Sequence, residues 1–239
     1  MVVGEPDFLN YLKSKNMEFT GEYDFPKVRG VRLRNIDNVK LLGFNYATNP
    51  KTQDKDKQWV HFFLPDYRFQ QVWNHPENYI ECFKQYKGIC SPDFSCYIGM
   101  PKAVQIFNVY RMSFLSAYYE QYGIKVLPSV TWGEPDTYSW VFNWVPKGSA
   151  VVVSTVGCIQ NKKATVEFLR GYEKMLEVVD PYQVVLYGHV TDEIMYMNPK
   201  SVRVPDFMEV RKQTALWKQP KHWGEILQTE APKIEKKGK

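Results

Sequence analysis

The sequence predicts a single α/β domain of parallel strands and helices, arranged as a (β/α) barrel-like fold with fewer than eight regular units. Short runs of consecutive apolar residues, such as VVVST and QVVLYG, are typical of strands buried on both faces of a parallel sheet. Longer segments with a 3.6-residue apolar period lie between these runs. An open doubly wound parallel sheet is the alternative, because both folds are built from repeated βα units.

Six segments have the composition of buried strands, and residues 201–207 supply a further candidate. The six segments are residues 39–46, 59–64, 88–90, 125–130, 150–155 and 183–187. No G-x-G-x-x-G motif follows the first of them, which weighs against a dinucleotide-binding Rossmann domain.

Three helical segments lie between the predicted strands. Residues 67–86 are rich in aromatic residues and should break near Pro76, because proline lacks a backbone donor and clashes inside a helix. A long amphipathic helix is predicted from Pro101 to Gly123. The clearest helix covers residues 161–179, where seven apolar residues form one stripe that Asp180-Pro181 ends.

The positive charge is confined to the end of the chain. Of the formal net charge of +5, all arises in residues 211–239, which hold eight Lys or Arg and three Glu, so residues 1–210 are neutral. We therefore predict one domain over residues 1–210, with residues 1–38 as an N-terminal capping segment. Residues 211–239 form a basic segment, with a flexible end, that could contact nucleic acid electrostatically.

Composition excludes several classes of protein. With 44% apolar and 24% charged residues, the chain lacks the signature of a disordered protein. No apolar stretch reaches ten residues, so we expect no membrane-spanning helix and no membrane partner. The four cysteines form no C-x-x-C motif, and no secretory signal is visible, which predicts a reduced, cytoplasmic protein without structural zinc.

Polar residues follow almost every predicted strand, where ligand sites of both candidate folds lie. Asp66 and Asp93 are the predicted catalytic pair, as ligands of a divalent metal such as Mg²⁺ or Mn²⁺ or as general acid and base. The competing interpretation is that each aspartate caps a helix or turn.

Further residues are candidates for binding a small-molecule or nucleotide ligand. Arg111 lies on the long helix, where a salt bridge that locks the fold is the alternative role. Ser154 to Gly157 offers hydroxyls and amides to an anion but lacks the lysine of a P-loop. The predicted substrate-binding residues are Asn45, Tyr46, Arg68, Ser91, Arg111, Trp132, Ser154, Thr155 and Tyr187.

Several motifs resemble a family of domains of unknown function, the family numbered 4417. They are HFFLPDYRF, SPDFSCY and GIKVLPSVTW, within a resemblance over roughly residues 18–190. The family occurs in bacteria, phages and mobile elements, so the resemblance implies a protein of a bacterial host's cytoplasm. Asp66, Arg68, Asp93, Tyr97 and Trp132 lie inside these motifs, and Asn108 and Arg111 lie in the family-like segment between the last two. The resemblance implies no particular reaction.

Three functions are compatible with these residues. The first is a phage or mobile-element enzyme that hydrolyses or transfers a phosphate-containing substrate, either a nucleotide or nucleic acid. The second is a non-catalytic protein that sequesters a small molecule or inhibits a host protein through an aromatic-lined mouth formed by Tyr46, Tyr67, Trp132 and Tyr187. The third is a carbohydrate-active enzyme with Glu134 and Asp93 as its carboxylate pair.

Overall fold

The computed structural model of the protein describes residues 7–217. The chain divides into two compact units, Met1–Val204 and Pro205–Lys239. The first unit holds all the strands and the candidate site. In the second unit, helix Phe207–Trp217 begins after Asp206, whose side chain accepts a hydrogen bond from the Glu209 backbone N–H at 2.9 Å.

The strands of the first unit are short and mostly buried. The first two form a small antiparallel hairpin, and all the others are parallel. In chain order they are β1 (Phe19–Thr20), β2 (Phe25–Pro26), β3 (Leu41–Gly43), β4 (Trp59–His61), β5 (Gly88–Cys90), β6 (Val126–Leu127), β7 (Ala150–Ser154), β8 (Gln183–Tyr187) and β9 (Val202–Val204).

Two long helices and several short ones accompany the strands. The helices are α1 (Tyr11–Ser14), α2 (Phe44–Ala47), α3 (Gln70–Asn74), α4 (Ile80–Phe83), α5 (Lys102–Gln121), α6 (Lys162–Val179), α7 (Asp192–Met197) and, in the second unit, α8 (Phe207–Trp217). Single 3₁₀ turns cover Lys55–Lys57, Asp66–Arg68, Pro76–Tyr79 and Pro135–Thr137. No helix within the described residues is long and apolar enough to cross a membrane.

The parallel strands follow one another in space in chain order. One sheet has the order β3-β4-β5-β6 and the other the order β7-β8-β9. A single parallel bridge between Ser129 and Val152 joins the two. The predicted α/β class with parallel strands is therefore confirmed. Barrel closure is not confirmed, because no pairing between β3 and β9 occurs within residues 7–217, and an open α/β sheet fits the strand pairing.

Alternation along the strands divides the apolar side chains between two clusters, because successive side chains of a strand point to opposite faces. The larger cluster contains Val60 of β4, Val151 of β7 and the apolar faces of the long helices. The smaller cluster contains Trp59 of β4, Val152 of β7 and apolar residues of β5, β6 and β8. Both faces of the strands are thus covered, which explains their consecutive apolar residues.

The long helices differ in how much of their surface is buried. Helix α6 is amphipathic, and its N-cap residue Asn161 accepts a hydrogen bond from the Ala164 backbone N–H at 3.0 Å. Helix α5 is buried over most of its length, including the polar residues Asn108, Arg111 and Glu120. Because a buried polar side chain needs a partner, each of these residues binds a neighbouring segment.

The N-terminal segment lies against the amino ends of β7 and β8. The Ala150 backbone N–H donates to the Val31 carbonyl at 2.7 Å, and the Leu33 N–H donates to the Gln183 side-chain oxygen at 2.9 Å. Glu120 of α5 accepts a hydrogen bond from the Arg29 N–H at 2.7 Å. These contacts cover the edge of the strands opposite to the one that carries the candidate site.

Candidate functional site

A cavity of about 650 Å³ opens at the carboxyl ends of four adjacent strands. In a parallel arrangement these ends lie at one edge, and the loops that follow them converge there. The loops after β4, β5, β6 and β7 and the first turns of α6 form the cavity wall. They contribute residues 63–65, Asp93, residues 95–98, residues 130–133, Val153, Ser154, residues 156–158, Ala164, Glu167 and Phe168.

The charge of this wall is negative. Asp93 and Glu167 are its ionisable carboxyl residues, and no Lys, Arg or His belongs to the lining within the described chain. Glu167 forms an ion pair with Arg170 at 3.0 Å, whereas Asp93 forms none. Much of the remaining wall is aromatic, with the rings of Trp132 and Phe168 5.2 Å apart. The lining therefore suits a ring-containing ligand that is neutral, cationic or bound to a metal ion.

The half-buried Asp93 carboxyl is electrostatically the most perturbed acid of the cavity. Burial, and secondarily the neighbouring Asp66 carboxylate, raise the pKa of Asp93 from 3.8 to about 7. Within residues 7–217 no hydrogen bond or cation compensates its charge. Near neutral pH the group is therefore present in both protonation states, so it can donate or accept a proton.

Asp66 holds Ser95, which is a neighbour of Asp93 on the same loop. The Ser95 hydroxyl donates to Asp66 Oδ1 at 2.8 Å, and the Ser95 backbone N–H donates to Asp66 Oδ2 at 3.2 Å. The Tyr97 phenol also bonds to Ser95 Oγ. Because the single hydroxyl proton of Ser95 is directed at Asp66, the Tyr97 phenol is the donor in that bond. Asp66 itself lies behind the cavity wall and does not line it.

Helix α5 supports the same loop from the other side. Asn108 donates to the Ser95 carbonyl at 2.6 Å and accepts a hydrogen bond from the Arg111 guanidinium. Arg111 also donates to Gln70 of α3 at 3.0 Å, and its guanidinium carbon lies 3.6 Å from the ring centroid of Phe94. Arg111 thus connects the loop after β5 with two helices.

Trp132 reaches the cavity because helix α6 has a glycine beneath it. A Cβ atom at Gly171 would lie 2.0 Å from Trp132 Nε1, which is closer than real Cβ contacts allow. The indole therefore rests directly on the helix backbone and fills the space of a side chain. Gly171 is in this way a determinant of the cavity wall, although it does not line the cavity.

Two thiols also line the cavity, and both are poor nucleophiles. Cys96 is a buried residue and Cys158 an exposed one. Desolvation of the thiol, together with the charge of Asp93, raises the pKa of Cys158 to about 11 and that of Cys96 to about 12. The Cys96 thiol contacts Gln105 Oε1 at 3.0 Å. Since the thiolate is the reactive form, neither cysteine is activated near neutral pH.

The structure brings together part of the predicted site. Asp93, Trp132 and Ser154 line the cavity, and Asp66 contacts it through Ser95. Asn45, Tyr46 and Arg68 are exposed and belong to other surfaces. Ser91, Arg111, Thr155 and Tyr187 are buried outside the lining.

These four buried residues have partners that explain their burial. Ser91 Oγ accepts from the Ser129 N–H at 2.6 Å, and Thr155 Oγ1 donates to the His189 carbonyl at 2.6 Å. Tyr187 packs on Phe63 with 4.9 Å between ring centroids. The alternative role predicted for Arg111, a salt bridge, has no counterpart among the described residues, since its partners are the neutral Gln70 and Asn108.

Glu134, the second carboxylate of the carbohydrate hypothesis, also serves the loop after β5. It accepts hydrogen bonds from the Gly99 N–H and, at 3.2 Å, from Gln105. The Gly99 bond is the main cause that lowers the pKa of Glu134. Glu134 does not line the cavity, so it does not face Asp93 across a bound ligand.

Ser95, Tyr97, Thr131 and Glu167 are polar lining residues that do not belong to the predicted set of site residues. A local signal exists for two of them: Asp93, Ser95 and Tyr97 occupy alternate positions of the segment SPDFSCY. Alternate side chains of an extended segment point to the same side, and all three line the cavity. Glu167 carries no such signal, because its helix is distant in sequence.

A metal ion would find few protein ligands in this cavity. Among the described residues no group of three or more His, Cys, Asp or Glu could hold one. Of the two predicted aspartates, Asp93 faces the open space, while both oxygens of Asp66 are engaged by Ser95. A Mg²⁺ or Mn²⁺ ion held by Asp93 would need water or ligand oxygens to complete its coordination, as magnesium sites commonly do.

Comparison with known proteins identifies the family. The model of the domain of unknown function DUF4417 matches residues 17–210. The chain is 31% identical to the Gene 1 protein of Mycobacterium phage L5 over 223 residues, which are 92% of this chain and 90% of that protein. It is 36% identical to the Gene 1 protein of Mycobacterium phage D29 over 131 residues, 55% of this chain and 48% of that protein. No solved structure matches the chain. The chain belongs to the DUF4417 family and has phage proteins among its relatives.

Proposed function

We propose that this chain is a phage-associated hydrolase or transferase that acts on a phosphate-containing small molecule, with nucleotides as the first class to test. The observation that carries the proposal is Asp93, a half-buried carboxyl with a pKa of about 7 on the wall of a 650 Å³ cavity. A group that titrates near the working pH is suited to general acid–base catalysis. The volume is within the range of small-molecule sites.

The charge of the cavity decides how a phosphate could bind. A wall with two carboxylates and, within the described chain, no cationic side chain repels a bare phosphate. A nucleotide would therefore enter as its Mg²⁺ or Mn²⁺ complex, with phosphate oxygens and water as the ligands of the ion and the base against Trp132 or Phe168. Such an ion would supply neutralisation of phosphate charge.

The arrangement of the strands supports a second part of the proposal, an incomplete (β/α) barrel. In a flat sheet, β4 and β8 would lie about 19 Å apart, because neighbouring strands are separated by about 4.8 Å. Tyr187 of β8 nevertheless stacks on Phe63, which follows β4, at 4.9 Å. Curvature of this degree is expected of a barrel wall, which supports a barrel whose carboxyl mouth would hold the cavity.

The test is nucleotide binding and turnover by the full chain, with and without divalent metal. Calorimetry should detect binding in Mg²⁺ or Mn²⁺ and none in EDTA, and chromatography should detect product. Asp93→Asn should lower turnover by about 100-fold or more, as expected for loss of an acid–base group. Asp136→Asn, which changes an exposed carboxylate outside the cavity, is the control. Nucleotide binding of equal affinity with and without divalent metal, or unchanged turnover in Asp93→Asn, would contradict the proposal.

A sequestering protein is the second candidate, and the aromatic lining by Phe63, Trp132 and Phe168 favours it. Such a protein would hold its ligand without converting it. Native mass spectrometry of the chain purified from its host should then detect an intact bound small molecule. Release of a converted product over time would favour the enzyme.

A further inference from the structure

We propose that the Ser95 hydroxyl is the nucleophile of this cavity, with Asp66 as the acceptor of its proton and Asp93 as the proton donor to the leaving group. The inference rests on the proposed hydrolase or transferase function and deepens it. It starts from Ser95 and Asp93 lining one cavity while Asp66 contacts Ser95 from behind the wall.

Hydrogen bonds fix the position of Ser95, and a catalytic nucleophile requires a fixed position. Both of its backbone polar atoms and its hydroxyl are bonded: the N–H to Asp66, the carbonyl to Asn108 and the hydroxyl to Asp66 and Tyr97. Two other segments of the chain, through Asp66 and Asn108, and the nearby Tyr97 thus determine the position of one side chain. Fixed geometry of this kind lowers the cost of reaching the transition state.

The hydroxyl also has the partner that nucleophilic catalysis requires. A serine is activated when a base within hydrogen-bond reach takes its proton, and Asp66 Oδ1 lies 2.8 Å from Ser95 Oγ. The Ser154 hydroxyl, which lines the same cavity, accepts from the Val156 N–H at 3.3 Å and has no carboxylate partner within the described chain. Cys96 and Cys158 are protonated near neutral pH, as their raised pKa values require.

The chemical step is balanced by these three groups. Ser95 Oγ forms a bond to the electrophilic phosphorus while the bond from phosphorus to the leaving oxygen breaks. The Ser95 proton passes to Asp66, and protonated Asp93 gives its proton to the leaving oxygen. Water, or an acceptor hydroxyl in a transferase, then attacks the phosphorus and releases Ser95. Its proton restores Asp93, and the proton on Asp66 returns to Ser95 Oγ.

A fluorophosphonate probe tests the nucleophile without knowledge of the substrate. The full chain is treated with the probe, and adducts are located by peptide mass spectrometry. We expect an adduct on Ser95, formed as the phosphorus–fluorine bond breaks and fluoride leaves. Ser95→Ala should abolish it, and Asp66→Asn should slow it about 100-fold by removing the base. Ser139→Ala, which changes an exposed serine outside the cavity lining, should be labelled on Ser95 like the unchanged chain.

Asp93→Asn separates this inference from the proposed function. Fluoride leaves without a proton donor, so Asp93→Asn should still be labelled on Ser95 at a rate close to that of the unchanged chain. Labelling of Ser95 without any nucleotide turnover would support the nucleophile and contradict the proposed substrate class. Turnover that depends on Asp93 without any Ser95 adduct would overturn the nucleophile and favour direct attack by water. An unchanged labelling rate in Asp66→Asn, with circular dichroism confirming the fold, would overturn the role of Asp66.

Discussion

Burial acts in opposite directions on Asp93, in the loop after β5, and on Arg111 of helix α5. It raises the pKa of Asp93 to about 7 and lowers the pKa of Arg111 to about 10, because a low-dielectric environment disfavours the charged form of either group. Asp93 thereby becomes able to exchange protons near neutral pH. Arg111 stays protonated and is stabilised by two amide oxygens and the face of Phe94.

The raised pKa of Asp93 predicts a pH-dependent stability. Between its unfolded value of 3.8 and its folded value of about 7, the folded chain holds a proton that the unfolded chain has lost. Stability should therefore fall as the pH rises through this window. An asparagine in place of Asp93 does not titrate, so Asp93→Asn removes this loss of stability at high pH. The change that it causes in the free energy of unfolding should therefore be more stabilising at about pH 8 than at about pH 4, by about 1–2 kcal/mol.

Urea unfolding at the two pH values measures this difference. Asp136→Asn is the matched control, since Asp136 is exposed and pairs with Lys102 outside the cavity. Its effect should be similar at both pH values. An Asp93→Asn effect independent of pH would contradict the raised pKa.

Arg111 is predicted to be a major stabilising residue. Arg111→Met keeps much of the side-chain volume but leaves the Gln70 and Asn108 oxygens without their donor and removes the contact with Phe94. We expect a loss of about 2–4 kcal/mol in the free energy of unfolding. Arg68→Met, at an exposed arginine, should change it by less than about 0.5 kcal/mol. Denaturant midpoints of the two variants provide the comparison, and equal midpoints would contradict this role.

At the scale of elements, helix α6 combines local and tertiary determinants. Its start at Asn161 and its end near Asp180 follow from capping and from the apolar stripe, so the sequence alone predicts them. Gly171, in contrast, is unfavourable in a helix by about 1 kcal/mol relative to alanine. Its reason lies outside the helix, in the indole of Trp132.

A double-mutant cycle tests this coupling. Gly171→Ala alone should lower stability by about 1–3 kcal/mol, because the new Cβ forces Trp132 to move. In a Trp132→Ala background the same change should be neutral or stabilising by up to about 1 kcal/mol, as helix propensity then dominates. Thermal or urea unfolding of the four proteins gives the interaction energy. Equal effects of Gly171→Ala in both backgrounds would contradict the contact.

Three predicted strands agree closely with the observed ones because their signal is local, whereas the strand predicted over residues 39–46 is wrong beyond Gly43, where α2 begins. Residues 88–90, 150–155 and 183–187 were predicted, and β5, β7 and β8 occupy Gly88–Cys90, Ala150–Ser154 and Gln183–Tyr187. Residues 67–86 contain the predicted break, with α3 ending at Asn74 before Pro76. The hairpin of β1 and β2 was not predicted, since two-residue strands carry almost no periodicity.

At the scale of the whole molecule, the end of the chain and the cavity have opposite charge. Residues 211–239 are basic, whereas the cavity wall is acidic. The excess of positive charge at the end of the chain was predicted to allow an electrostatic contact with nucleic acid, with a solvated tail as the alternative, and most of it lies in residues 218–239, outside the described residues. The acidic cavity wall offers a nucleic-acid phosphate no cationic side chain within the described residues, so it does not favour phosphate contacts at the strand ends. Any contact with duplex DNA is therefore expected to depend on the basic segment.

Removal of that segment tests the nucleic-acid prediction. A chain that ends at Trp217 loses six lysines and should bind duplex DNA at low salt at least about ten-fold more weakly, with a smaller dependence on salt. Fluorescence anisotropy at several salt concentrations measures both. A full-length chain with Lys233, Lys236, Lys237 and Lys239 changed to Gln separates charge from length. Unchanged affinity in the shortened chain would contradict an electrostatic arm.

The sequence by itself determined the α/β class, the positions of several strands along the chain and the edge at which polar residues gather, because these depend on local periodicity and chain direction. Only the tertiary structure distinguished Asp93 from Asp66. Both follow buried strands, yet one faces the cavity with a raised pKa and the other binds Ser95, 29 residues away in the chain. Solvent exposure and long-range hydrogen bonds decide the chemistry of a carboxylate, and neither is encoded in the residues beside it.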